Sequence, residues 1–125
     1  MKYWQLLLIF AAGGLGAVCR YAVSGWVQRF SETFPIGTLA VNVAGCFLFG
    51  TVVVLAGERG LLPPQARLPA LTGFLGAFTT FSTYGYETQQ LLSDAEWGRA
   101  ALYLVANNGG GVFAVLLGMA CGRLI

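Results

Sequence analysis

Four apolar runs, each about as long as a bilayer's hydrocarbon core is thick, constrain this chain more than any other feature. A spanning helix needs about 20 mostly apolar residues, and the runs near residues 3–27, 36–57, 68–92 and 97–124 all qualify. The linkers between them are short and, with the first turn of the fourth run, hold most of the charge: Arg29, Glu32, Glu58, Arg59, Arg67, Asp94, Glu96 and Arg99. Only 10% of the residues are charged and 57% are hydrophobic, whereas a soluble domain carries roughly 25% charged residues. The chain lacks the polar groups to cover itself in water, so lipid is its solvent. These observations predict an all-α membrane protein of one domain, residues 1–125, with four transmembrane helices. The Met1-Lys2 start and the run after it mimic a secretory signal. The run is too long for one and no A-x-A site follows, so a retained first span is expected.

With four spans both ends lie on one side of the membrane. Lys2, Arg59, Arg67 and Arg123 then oppose Arg29, Arg99 and, if it sits at the far end of the first span, Arg20. Four against three is a weak positive-inside bias. Orientation is poorly specified, which permits an antiparallel homodimer without requiring one. The 18 glycines, among them Gly13, Gly14, Gly16 and the Gly118-x-x-x-Gly122 pair, let helix backbones approach closely, within one subunit or between two. A net charge of +2 gives no case for nucleic acid. There is no His, the commonest general base and metal ligand. Cys19, Cys46 and Cys121 lie inside apolar runs and read as small buried hydrophobes rather than disulfides or ligands.

The third run is a poor lipid-facing helix. In Gly73-Phe-Leu-Gly76-Ala-Phe-Thr79-Thr-Phe81-Ser-Thr-Tyr84-Gly-Tyr86, glycines loosen the first half, and hydroxyl and aromatic residues crowd the second. In hydrocarbon, irregular backbone survives only where protein buries it or a watery cavity meets it. The stretch predicts a third helix broken near its middle, with the other spans arranged around the break. If a helix restarts near Thr79, its free N–H groups favour an anion. The carbonyls ending the preceding half, near Gly76 and Thr79, favour a cation, a division of labour used by broken helices in transporters. Phe81 and Tyr84 are three residues apart and project to one side. Held edge-on to a conduit, aromatic rings favour an anion; held face-on, they favour a cation. Ser82 and Thr83 add hydroxyl donors.

Polar residues at membrane depth need a partner or a purpose. In the second run Thr38, Asn42, Gly45 and Phe49 fall on one helical face, and Asn42 serves either an interhelical hydrogen bond or a ligand. In the fourth run Arg99, Tyr103, Asn107 and Gly111 form a similar face, with Asn108 beside it. Glu87, toward the exit of the third run, serves either a helix-end bond or a conduit. Arg20 serves as a structural donor to backbone carbonyls or as a vestibule cation. No Asp, Glu or Lys sits centrally in any run.

Gly13-Gly-Leu-Gly16-Ala-Val-Cys-Arg20-Tyr21, Gly37-Thr-Leu-Ala-Val-Asn42-Val-Ala-Gly45-Cys-Phe-Leu-Phe-Gly50 and Gly73-Phe-Leu-Gly76-Ala-Phe-Thr79-Thr-Phe81-Ser82-Thr83 resemble, in order and spacing, the motifs of the Fluc (CrcB) fluoride channels. The resemblance implies an antiparallel, dual-topology homodimer with two pores. It implies a structural sodium ion at the dimer centre, held by the backbone carbonyls of Gly76 and Thr79 from both subunits. It implies pores lined by Phe81 and Tyr84, with Asn42, Ser82 and Thr83 as polar contacts and Tyr103 near a pore. Two features depart from the family pattern: Tyr84 stands where the second pore aromatic is usually Phe, and the polar track of the fourth run reads Asn107-Asn108.

The expected function is passive, selective fluoride efflux across the cytoplasmic (inner) membrane, which lowers intracellular fluoride; no bond is broken, so no enzyme is expected. Neutral amide, hydroxyl and ring-edge donors replace the anion's hydration shell without holding it too tightly to leave. The alternative is a small multidrug-resistance-type proton-coupled exporter. That reading calls for a membrane-embedded Glu in the first run, and there is none. A structural scaffold is the third reading, and it needs no ion path.

Overall fold

A computed structural model describes residues 2–125, and its elements are all helical. In chain order they are α1 (Tyr3–Gln28), α2 (Ile36–Ala56), α3 (Pro64–Leu68), a π-helical stretch (Pro69–Leu75), α4 (Gly76–Phe78), α5 (Phe81–Ser93) and α6 (Trp97–Leu124). Helices α1, α2 and α6 are each long and apolar enough to cross a membrane. The third run is composite. Pro69 removes one backbone donor and crowds the turn before it. From there the helix widens, and the Gly76 amide reaches back five residues to the Leu71 carbonyl. Helix α4 ends at Phe78, Thr79 and Thr80 are extended, and α5 restarts at Phe81. The restart is two residues later than the sequence suggests, because a second threonine is needed outside the helix to cap it.

Helices α2 and α6 pack most closely, and small residues make this possible. Gly50 lies against the Val115 carbonyl, and Gly118 lies against the Phe47 carbonyl and the Thr51 amide. Thr51 Oγ1 shares its one proton between the Gly118 carbonyl across the seam at 3.1 Å and the Phe47 carbonyl of its own helix at 3.0 Å. The Gly118–Gly122 pair therefore serves packing within the subunit. Outside the membrane, Arg123 grips Glu58 with two bonds of 2.9 Å, tying the end of α6 to the end of α2. That hydrogen bond holds the exposed Glu58 carboxyl below its ordinary range.

Helix α1 lies across the front of the π-helical stretch. Gly16 fits against the Phe74 carbonyl, and Gly73 against Ile9 and Ala12. At its end, Gln28 holds the corner into α2. Its Nε2 donates to the Ser31 and Phe34 carbonyls at 2.7 and 3.1 Å, and its Oε1 accepts from the Gly37 amide at 3.0 Å. Gly16 is the one fully buried residue of α1. The rest of its apolar surface needs lipid or another chain. Cys19, Cys46 and Cys121 are unpaired and half-buried.

Gly118→Ala would place a methyl group against Phe47 backbone in α2, which cannot yield. Overpacking of this kind costs about 1–3 kcal/mol. The variant is expected to melt at a lower temperature in detergent. Gly109→Ala, on the same helix with open space around it, is the control and gains helix propensity.

Candidate functional site

The helix break is held open by one side chain. Asn42 on α2 points at the extended pair Thr79-Thr80. Its Oδ1 accepts from the Thr80 amide at 2.8 Å, and its Nδ2 donates to the Thr80 carbonyl at 3.2 Å. The Thr80 amide would otherwise bond the Gly76 carbonyl in a continuous helix. Asn42 takes it instead and satisfies backbone that hydrocarbon would leave stranded. Gly45, one turn along α2, leaves room for the Thr79 and Phe78 side chains. Thr80 then starts α5. Its hydroxyl accepts from the Thr83 amide at 3.3 Å, an ordinary N-cap. That hydroxyl also donates to Thr83 Oγ1 at 3.0 Å.

The clamp continues into α6. The second Nδ2 hydrogen of Asn42 goes to Asn107 Oδ1 at 3.0 Å, and Asn107 Nδ2 donates to the Tyr103 carbonyl at 3.1 Å. An amide nitrogen has two hydrogens, so Asn42 has none left over, whereas Asn107 keeps one. The helices that carry Asn42 and Asn107 thus meet at the break, linked through their two side-chain amides.

A column of aromatic rings leaves this point. Phe81 and Tyr84 meet at 5.4 Å with planes at 64°, Tyr84 and Tyr103 at 5.4 Å and 59°, and Tyr103 and Phe34 at 5.5 Å and 86°. The first and last steps turn a ring edge toward its neighbour, and the middle one is tilted. Beside the column lies a cavity of about 200 Å³ lined by Asn42, Cys46, Thr79, Thr80, Phe81, Tyr84, Asn107 and Asn108. Phe81 is 80% exposed at its outer end, while Tyr84 is 5% and Tyr103 0% exposed.

At the inner end of the column Glu87 is knotted to two spans. Tyr103 donates to its Oε2 at 2.6 Å, and Thr38 to its Oε1 at 3.0 Å. Glu87 also borders a polar cavity of about 310 Å³ with Glu32, Phe34, Gln90 and Asp94. The aromatic column therefore runs from the break to a polar mouth.

The sequence-marked residues fall into three groups. Asn42, Phe81 and Tyr84 share the cavity at the break, with Tyr103 behind Tyr84. Thr83 turns away toward α1 and lines a second cavity, about 260 Å³, with Arg20, Tyr21, Ser24 and Thr38. Ser82 is exposed and near Thr80, its Oγ 3.4 Å from Thr80 Oγ1. Ser82 and Thr83 are thus not brought together with Asn42. Arg20 donates from Nη1 to the Thr79 carbonyl at 3.4 Å. Thr80 and the Asn107–Asn108 pair are further site residues. The signal for Thr80 is a threonine directly before a helix start; for the two Asn it is their place on the α6 face of Tyr103.

The donor set at the break suits a hard monovalent cation. Gly76 is exposed, and its carbonyl is released from its helical partner by Asn42. The Thr79 carbonyl meets only the long Arg20 bond among the described residues. Neutral carbonyls at a half-helix end are what Na⁺ sites in broken helices use. No group of three or more His, Cys, Asp or Glu suited to another metal occurs among the described residues.

A family model described as CrcB-like protein, Camphor Resistance (CrcB), matches residues 7–119. A protein of Maridesulfovibrio salexigens named fluoride-specific ion channel FluC is 49% identical over 122 residues, covering 97% of both chains. One of the same name from Nitrosococcus oceani is 48% identical over 124 residues, covering 98% of this chain and 99% of that one. An archaeal relative, fluoride-specific ion channel FluC 1 of Methanosarcina acetivorans, is 43% identical over 115 residues, 92% of this chain and 88% of its own.

Asn42→Leu keeps the volume and removes all three bonds. Leaving buried amide groups unpaired costs about 1–3 kcal/mol each. The variant is expected to lose protection of the Thr80 amide in hydrogen exchange before it loses protection in α6. Unchanged exchange at Thr80 would show that the break holds itself.

Proposed function

The chain belongs to the CrcB family, and from that premise we infer that it is a fluoride-selective channel, a multi-pass membrane protein rather than an enzyme. The observation that carries the reading at the level of residues is the broken third span, with Phe81, Tyr84 and the α6 amides gathered at one cavity. Fluoride enters only if donors replace its water, and leaves only if none of them is a fixed strong charge. The cavity wall offers aromatic rings, a phenol and side-chain amides. No Lys or Arg lines it.

The ion path we propose follows the aromatic column past Phe81, Tyr84 and Tyr103 toward the mouth at Glu87. Asn42 serves it through its grip on the break, since its own donors are committed. Thr83 belongs to the approach on the α1 side, where Arg20 attracts the anion and steadies the Thr79 carbonyl, and Ser82 stands exposed beside Thr80 as a further hydroxyl at the break. Flow is passive, out of the cell across the cytoplasmic membrane, and lowers intracellular fluoride.

The chain works as an antiparallel homodimer in this reading. Two observations support it: the weak charge bias between the two ends, and the exposure of Phe81 and Gly76 at the break. A second copy would cover both. The Gly76 and Thr79 carbonyls of the two copies would hold a structural sodium ion, which supplies positive charge that fastens the two breaks together. The exporter reading finds no support, since the one embedded acid, Glu87, is tied to Thr38 and Tyr103 and α1 has none.

Purified protein in liposomes is expected to release fluoride, and not chloride or a cationic drug. Phe81→Ile, with folding intact, is expected to lower fluoride flux at least tenfold; wild-type flux from this variant would remove Phe81 from the path. Exchanging sodium for a large organic cation throughout purification is expected to lower flux and weaken the dimer on size exclusion.

A further inference from the structure

We propose that the Tyr84 hydroxyl is a dedicated donor to the permeating anion, and that Asn108 is the positioning residue that aims it. The proposal rests on the fluoride reading above. Asn108 Nδ2 donates to the Tyr84 hydroxyl oxygen at 2.8 Å and to the Leu104 carbonyl at 2.8 Å. The second contact fixes which way the amide faces, because the flipped amide would set its oxygen against the Leu104 carbonyl. Nitrogen in an amide only donates, so Tyr84 must be the acceptor in the first bond. Its single proton is left without a protein acceptor among the described residues.

The direction left for that proton is the cavity. The ring is 5% exposed and wedged between Phe81 and Tyr103, so the O–H can turn only about its own C–O bond. Asn108 occupies one side of the oxygen, and both residues border the cavity of about 200 Å³. Of the amide oxygens lining it, Asn42 Oδ1 accepts from the Thr80 amide and Asn107 Oδ1 from Asn42, and neither makes a hydrogen bond with Tyr84. A neutral O–H turned into a cavity beside the Phe81 ring is a seat for a small anion. Bonds of this charge-assisted kind are about twice as strong as neutral ones.

The test is fluoride efflux from liposomes as a function of fluoride concentration, for wild type, Tyr84→Phe, Asn108→Ala and the double variant. Tyr84→Phe keeps the ring and is expected to raise the half-saturating concentration about tenfold, the low end for a bond to a charged group. Asn108→Ala is expected to raise it about threefold. The double variant is expected to match Tyr84→Phe alone, since no hydroxyl remains to be aimed. A packing role for Asn108 would weaken both backgrounds equally, and that result overturns the proposal. So does wild-type concentration dependence in Tyr84→Phe. Wild-type protein that carries no fluoride sinks the channel reading and the proposal together, whereas wild-type flux with an indifferent Tyr84→Phe sinks the proposal alone.

Discussion

One side-chain amide governs this fold. Asn42 bonds both the amide and the carbonyl of Thr80, and in doing so acts as a short piece of β-strand placed on a helix. Unpaired backbone groups in hydrocarbon cost several kcal/mol each, so a membrane helix does not break unless something receives the freed groups. With that receiver in place, the break supplies what a continuous helix cannot. A helix N-terminus at Phe81 and a released carbonyl at Gly76 lie within a few residues of each other, one fit for negative charge and the other for positive.

The rest of the architecture protects this arrangement. Helices α2 and α6 are drawn together by Gly50, Gly118 and Thr51, which brings Asn42 within reach of Asn107. Helix α1 backs the π-helical stretch and delivers Arg20 to the Thr79 carbonyl. The aromatic column then carries the polarity of the break inward through ring edges. Its far end is anchored by Glu87, whose carboxyl group is met by donors from α2 and α6. Asn42, Arg20 and Glu87 thus each meet a named partner, while Phe81 is left open at the break.

Much of this was legible before any coordinates. The glycine and threonine crowding of residues 73–86 announces an interrupted span, because such residues make a poor lipid-facing helix. Asn42 stands out as the one strongly polar residue in mid-span of the second run, which marks it for an interhelical bond or a ligand, but that its bonds go to the Thr80 backbone is not encoded there. Other features were not legible, for physical reasons. Phase on a short helix depends on where it starts, so a restart at Phe81 rather than Thr79 sends Thr83 toward Arg20 and away from Asn42. The Glu87 knot joins residues 49 and 16 positions apart, and no periodicity within one span encodes it. The bond between Asn108 and Tyr84 likewise depends on how α5 and α6 cross.

The central claim is that a fluoride ion rests among uncharged donors beside the break, against the edges of Phe81 and Tyr84. Magic-angle-spinning NMR on protein reconstituted in lipid, with ¹³C-labelled rings at these two positions, tests it most directly. The account predicts a bound fluoride resonance whose dipolar coupling dephases the ring-edge carbons of Phe81 and Tyr84. Bound fluoride that couples to neither ring, or fluoride seen only in bulk water, would contradict it.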